Sequence, residues 1–219
     1  QFARDSKPFL EVVRFCCDFN KILILDFSFA SFMLASGGRR PDVYRILENS
    51  GVRYIAMEDT GKTWPLQDAK CATILTSRDL NDEIYNIVTS VLLNVSPFVL
   101  NIVTRYVLDS QQDGFASVGE LLQRNRTRAI AHLDKGILRY QTPLIRTSVA
   151  WFEITDPALS ADQLQHCLLQ SRIYVLPGKY FFWKHPARGQ RFIRVALARD
   201  ETLFQNAMYA MEDALHELQ

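Results

Sequence analysis

The stretch EDTGKTWP, residues 58–65, places Lys62 between a glycine and a threonine, an order that could serve phosphate binding or covalent amine chemistry. A Walker-type loop needs a further glycine five positions before Gly61, so that backbone N–H groups can curl around phosphate. That position is Ala56, which leaves the nucleotide pattern incomplete. The other chemistry is nucleophilic: a neutral lysine amine adds to an aldehyde, and partial desolvation favours the neutral form. Two more positions stand out. Asp26 closes the apolar run KILILD, and Arg194 lies in FIRVALA, with Arg191 as its local competitor. Taken singly, each has a plainer role: Lys62 a solvated loop lysine, Asp26 a turn or helix-cap residue, Arg194 a surface ion-pair partner.

The elements that must position these residues follow from the apolar pattern. PFLEVVRFCCDFN has helical spacing and runs into KILILDFSF, an apolar run of strand length. PDVYRILENSG reads as a short helix stopped by Gly51, VRYIAMED as a second strand ending in carboxylates, and CATILTS as a third strand. Alternating strands and helices predict an open α/β sheet, mostly parallel, with ligands beyond the carboxyl ends of its strands. Asp26 and Lys62 both fall at or just past such ends. Three helical stretches come next: DLNDEIYNIVTSVLLN, then SPFVLNIVTRYVLDS with Ser96 as N-cap and Pro97 in the first turn, then SVGELLQRNRTRAIAHLDKG, closed by Gly136. After them RTSVAWFEI, SADQLQHCLLQ, RIYVLPGKYFFW, RFIRVALA and a final amphipathic helix from Glu201 read as a smaller α+β unit.

With 219 residues, 48% hydrophobic and 22% charged, the chain is long enough for one large or two small packed domains. Its 25 basic and 24 acidic residues leave no basic excess for nucleic acid or an anionic membrane. No apolar run approaches the length of a membrane span, and a cytoplasmic location is expected. Cys16, Cys17, Cys71 and Cys167 have neither a disulfide framework nor metal-ligand spacing, and read as reduced core thiols. His132, His166, His185 and His216 are scattered, so no metal is expected. YFFW reads as small-domain core with one exposed edge, and RNRTR as a solvated helix face.

In order and spacing, Asp26, Lys62, Lys70 and Arg194 resemble the fold-type-I pyridoxal-phosphate enzymes, specifically the later part of the class I/II aminotransferase family. The resemblance implies the remainder of the cofactor-binding large domain over residues 1–116, and an interdomain helix with a small C-terminal domain over 117–219. It implies pyridoxal 5'-phosphate as cofactor, with Asp26 beside the pyridine nitrogen and Phe29 at the ring. Lys62 would form the imine with the cofactor aldehyde, then move the substrate's α-proton as general base and acid. Lys70 and Thr60 would meet the phosphate, and Arg194 would grip the substrate α-carboxylate with its planar fork. The implied activity is transfer of an amino group from an amino acid to a 2-oxo acid, in amino-acid biosynthesis or metabolism, by a homodimer. The family's glycine-rich phosphate turn, ring-stacking aromatic and asparagine belong to its first half, expected before Gln1 or on another chain.

Three positions depart from the family pattern. Phe29 replaces the usual tyrosine and lacks the hydroxyl that bonds the cofactor's ring oxygen. Lys70 replaces the usual arginine, keeping the charge without the bidentate fork. Asp59 replaces a serine or threonine, and would repel phosphate unless it points elsewhere. These departures leave open other carbanion chemistry (oxidation, elimination or cyclisation) and a noncatalytic half-enzyme. Ser28 and Thr63 are further hydroxyls near the site, and Trp64 and Phe182 are apolar residues near it.

Overall fold

Apolar residues at helical spacing form α1 (Lys7–Asp18), which buries Phe9, Val13 and Cys16. The chain continues through β1 (Leu23–Asp26), α2 (Phe32–Ala35) and α3 (Val43–Ser50) into β2 (Tyr54–Asp59), which pairs in parallel with β1. Asp42 caps α3 by accepting from the Arg45 N–H, and Gly51 ends it. The structure, a computed structural model, describes residues 7–35, 41–62 and 69–218, and the chain divides into two units, Gln1–Val118 and Gly119–Gln219. In the first unit one side of the sheet is filled. Phe9, Val13 and Cys16 cluster with Val43 and Leu47 of α3 and with Leu23, Tyr54 and Ala56 of the strands.

The third strand, β3 (Ala72–Thr76), runs antiparallel to β2, a reversal within a sheet expected to be mostly parallel. Its cause is local. The Thr60 N–H donates to the Cys71 carbonyl at 3.0 Å and the Cys71 N–H donates to Thr60 Oγ1 at 3.0 Å. The connection therefore leaves and re-enters the sheet at one end, where a parallel strand would need a crossover. Three helices follow: α4 (Asn81–Leu92), α5 (Pro97–Asp113) and α6 (Ala116–Leu133). Among the described residues no single helix is long and apolar enough to cross a membrane.

The second unit is built on an antiparallel sheet in the order β4 (Leu138–Gln141), β5 (Val149–Ile154), β7 (Phe192–Ala196), β6 (Leu176–Pro177). Alternation along β5 buries Ala150, Phe152 and Ile154 and sends Val149, Trp151 and Glu153 to the other face. Ile193 and Val195 of β7 are buried likewise. So are Leu164 and Leu168 of α7 (Ala161–Gln170), and Phe204, Met208 and Met211 of α9 (Glu201–His216). Ser160 and Gln163 form a reciprocal capping box at the start of α7, and Asp200 caps α9. A short helix, α8 (Pro186–Gly189), precedes β7.

The RNRTR run is no solvated face, because Asn125 and Arg126 are buried. Asn125 Nδ2 donates to the carbonyls of Leu197 (2.8 Å) and Arg199 (2.9 Å). The Arg126 guanidinium donates to the Thr147 carbonyl (2.5 Å) and to the Tyr140 hydroxyl (3.0 Å). Irregular backbone flanking β5 and β7 needs donors that no neighbouring strand supplies, and these two side chains supply them. RIYVLPGKYFFW contributes only the two-residue β6 before a 3-10 turn over Gly178–Phe181, since Pro177 has no N–H for a ladder. YFFW is largely exposed, with Trp183 at 89%. Only Cys16 of the four cysteines is buried, and Cys17 is exposed.

Candidate active site

Parallel pairing of β1 with β2, in the register Asp26↔Met57, puts the carboxyl ends of both strands on one edge of the sheet. Asp26 is the last residue of β1, and β2 runs on through Asp59 into a 3-10 turn over Thr60–Lys62. The Ser28 hydroxyl donates to Asp26 Oδ1 at 2.5 Å and the Ser28 N–H donates to the same oxygen at 2.9 Å. These two bonds, hydroxyl first, hold the carboxyl of the exposed Asp26 below its ordinary range against a smaller desolvation, and the positive charge of Lys62 adds to the effect. Asp26 is therefore an anion at neutral pH. Both bonds end on Oδ1, and among the described residues Oδ2 has no hydrogen-bond partner. Phe29 is partly exposed and its ring lies 5.8 Å from that of Phe32.

The loop after β2 is ordered by its own side chains. Asp59 Oδ1 accepts from the Gly61 N–H at 2.9 Å, so this carboxylate turns back into its own loop. The Thr60 hydroxyl donates to the Cys71 carbonyl at 3.0 Å while accepting from the Cys71 N–H. Its proton is thus engaged in closing the loop, and an added donor role at phosphate would require that bond to open. A Cβ on Gly61 would come within 3.0 Å of Lys70 Cβ and Cδ. The aliphatic stem of Lys70 accordingly lies against the turn that carries Lys62, and both lysines are exposed. An ionised carboxylate at the end of β1, Lys62 on the turn after β2 and Lys70 with its stem against that turn fit a cofactor that has a ring N–H, an aldehyde and a phosphate. Thr63 and Trp64 lie outside the described residues.

In the second unit, Arg191 and Arg194 have different fates. The Arg191 guanidinium donates to the carbonyls of Asp156 (2.7 Å), Leu159 (3.2 Å) and Ile154, which ties it to the backbone. Arg194, on the face of β7 away from the core, has no hydrogen-bond or ion-pair partner among the described residues. Its Cζ lies 4.4 Å from the centroid of the Phe181 ring, and burial lowers the guanidinium pKa from its very high ordinary value. A partly desolvated, unpaired fork is a receptor for a carboxylate. Phe182, by contrast, stacks on Phe192 at 5.5 Å.

Two residues matter more than the sequence reading allowed. Ser28 serves Asp26, and the signal for this was the Asp-x-Ser spacing, in which a hydroxyl two residues on folds back to the carboxylate. Phe181 supports Arg194, and its signal was hidden in an aromatic run read as core.

No family model matches the chain, and no curated protein matches it. Solved structures do. MppP, in a structure soaked with the product 2-ketoarginine, superposes with a TM-score of 0.81 at 26% identity, over 93% of this chain and 56% of that one. The α-aminoadipate aminotransferase LysN from Thermus thermophilus, complexed with N-(5'-phosphopyridoxyl)-L-leucine, gives 0.75 at 16% identity, over 95% and 53%. An aromatic aminotransferase from Pyrococcus horikoshii gives 0.76 at 16%, over 98% and 56%. The chain spans about half the length of the solved structures it matches.

Proposed function

From a chain with the fold of the C-terminal part of a fold-type-I aminotransferase, we propose that the complete protein uses pyridoxal phosphate to move an amino group from an amino acid to a 2-oxo acid. The observation that carries this reading is the shared edge of β1 and β2, where an ionised Asp26 lies within the electrostatic reach of Lys62. The cofactor, when bound, supplies an electron-withdrawing ring that accepts the electron pair released at the substrate α-carbon. Asp26 accepts the hydrogen bond of the ring N–H through its free oxygen and keeps that nitrogen protonated. Lys62 holds the cofactor through its aldehyde carbon. Its free amine would be the base that moves the proton at the substrate α-carbon. Lys70 would neutralise the phosphate, Thr60 would join it only by releasing its bond to the Cys71 carbonyl, and Phe29 would lie at the ring. Arg194, in the second unit, orients the substrate by its α-carboxylate.

In this reading residues 1–116 are the remainder of the cofactor-binding domain, and 117–219 are an interdomain helix and the small domain that holds the substrate carboxylate. The protein is a cytoplasmic homodimer, completed by the half that its structural relatives have beyond the matched region. The test is reduction of the complete protein with borohydride after adding pyridoxal phosphate, followed by peptide mass analysis. A pyridoxyl adduct on Lys62, absent from Lys62→Ala, is the expected result. A folded protein with Lys62 unmodified would sink the enzymatic reading and favour the noncatalytic half-enzyme.

A second outcome of the same site is favoured by Phe29 and by the likeness to MppP. A 2-keto acid product such as 2-ketoarginine arises by transamination or by oxidation, since both leave a carbonyl where the amine stood. Phe29 adds no hydroxyl at the ring. Stoichiometric appearance of the cofactor's amine form with the first turnover separates them: transamination requires it and oxidation does not.

A further inference from the structure

Arg194 is useful as a carboxylate receptor only if something other than an anion fixes its long side chain. The sheet does part of this. Arg194 faces Trp151 across the β5–β7 ladder and Leu176 across the β6–β7 ladder, on the side opposite Phe152 and Ile193. What covers that side is residues 178–190, which return over the sheet as a 3-10 turn and α8. Within them Phe182 lies parallel to Phe192, and Phe181 meets Trp151 edge-on, at 5.2 Å and 88°.

This covering segment is held by backbone contact. A Cβ on Gly178 would fall 2.5 Å from the Gly189 carbonyl oxygen, and a Cβ on Gly189 would fall 2.6 Å from Lys179 Cα. Such distances exclude any side chain at either position. The two glycines therefore press the 3-10 turn against α8. The turn is also moored to α7: Lys179 Nζ and Gln190 Nε2 both donate to Asp162 Oδ2, at 2.7 and 2.6 Å. The mooring ties down both ends of the segment that carries Phe181.

We propose that Phe181 is the positioning residue for Arg194, a fixed aromatic platform that covers one face of the guanidinium and leaves its donor edge free for a substrate carboxylate. The inference rests on the role given to Arg194 above. A cation over an aromatic face is attracted by the ring quadrupole, the more so when partly desolvated, and this restrains the side chain without occupying its N–H donors. An acidic side chain in place of Phe181 would restrain Arg194 too, yet would compete with the substrate for the same donors.

The test uses the full chain and needs no known substrate. Phenylglyoxal, which reacts with exposed guanidinium groups, is added to wild type, Phe181→Leu and Phe181→Tyr, and modification is quantified by peptide mass. Pyruvate serves as protector, because it presents an α-carboxylate with almost no side chain. In Phe181→Leu the pyruvate concentration that half-protects Arg194 should rise about tenfold, the loss expected for one such contact. Phe181→Tyr should stay near wild type, and the exposed Arg105 of α5 serves as the unprotected reference in all three. Half-protection of a folded Phe181→Leu at the wild-type concentration overturns the inference and leaves the role of Arg194 intact. Absence of protection in wild type overturns both. Should Phe181→Leu fail to fold, Phe181→Met, which keeps bulk without a π face, carries the same comparison.

Discussion

The two units use apolar residues in different ways. In the second, each strand of the β5–β7 pair buries every other residue, and α7 and α9 bury apolar residues of their own. In the first, α1 and α3 fill one side of the sheet, but α4 buries none of its residues. Ile24 of β1 and Ile74 and Leu75 of β3 are also exposed. The proposed chemistry divides along the same line: the proposed cofactor groups lie in the unit whose helix α4 buries nothing, and the proposed carboxylate receptor in the unit whose sheet and helices share a buried core. A large bare apolar surface marks a place where other protein is normally seated. The comparison thus teaches that the second unit has the burial of a self-sufficient fold, whereas the first has that of part of one. This agrees with a chain spanning about half of each structure it matches.

The sharpest test of self-sufficiency is the core of the second unit. Phe152 is fully buried at the centre of β5, with its ring 5.6 Å from that of Tyr140. Phe152→Ala removes the ring and leaves a cavity, and should cost about 3–5 kcal/mol. Urea unfolding followed by near-UV circular dichroism measures it. A loss below about 1 kcal/mol would show a loose core and erase the contrast between the units.

Much of this architecture was legible in the sequence, and the failures have physical reasons. Strand-length apolar runs gave β1, β2, β5 and β7, and helical spacing gave α1, α3, α7 and α9. β4 was missed because LRYQ carries too few apolar residues to announce a strand. Asn125 and Arg126 were misread because polarity was taken for exposure, and only the fold shows which carbonyls need their donors. The candidate residues of the first unit were readable because a lysine and an aspartate at strand ends need only two short elements to bring them together. The choice of Arg194 over Arg191 came from the family resemblance alone, and its physical basis was not readable. It depends on which fork finds carbonyls, a matter of turns far away in sequence. Phe181 was hidden for the same reason, since YFFW looks alike whether it fills a core or lines a surface.

A pH titration sharpens the comparison further. In the second unit, Glu212 of α9 accepts from Lys135, and lies 2.5 Å from Nδ1 of His132 on α6. These bonds, Lys135 first, lower its pKa from 4.5 to about 2. A depressed carboxylate contributes stability that is complete above the unfolded value, near 4.5, and is lost as pH falls toward 2. The melting temperature of the second unit should accordingly drop over that window, and Glu212→Gln should flatten the drop. A profile unchanged by Glu212→Gln would mean that the α6–α9 tie contributes nothing. In the first unit Asp26 has the same sign of linkage, because Ser28 holds it ionised, and Ser28→Ala should weaken its share over a similar acidic range.

The smallest expected effect is the one that most directly probes the bare surface. Val91 on α4 is 75% exposed, so truncating it to alanine removes few contacts and relieves a β-branched residue of its restricted rotamer in a helix. Alanine also has the better helix propensity, by a few tenths of a kcal/mol. Val91→Ala should therefore leave the stability of the 219-residue chain within about 0.5 kcal/mol, or raise it slightly. A loss above about 1 kcal/mol would mean that α4 is covered in solution, by a second copy or by another segment, and a concentration-dependent loss would identify the second copy. The same substitution in a longer protein that contains the unmatched half of the fold should cost more than in this chain if that half is seated on α4. Equal costs in both would place that half elsewhere and leave the apolar face of α4 to a different partner.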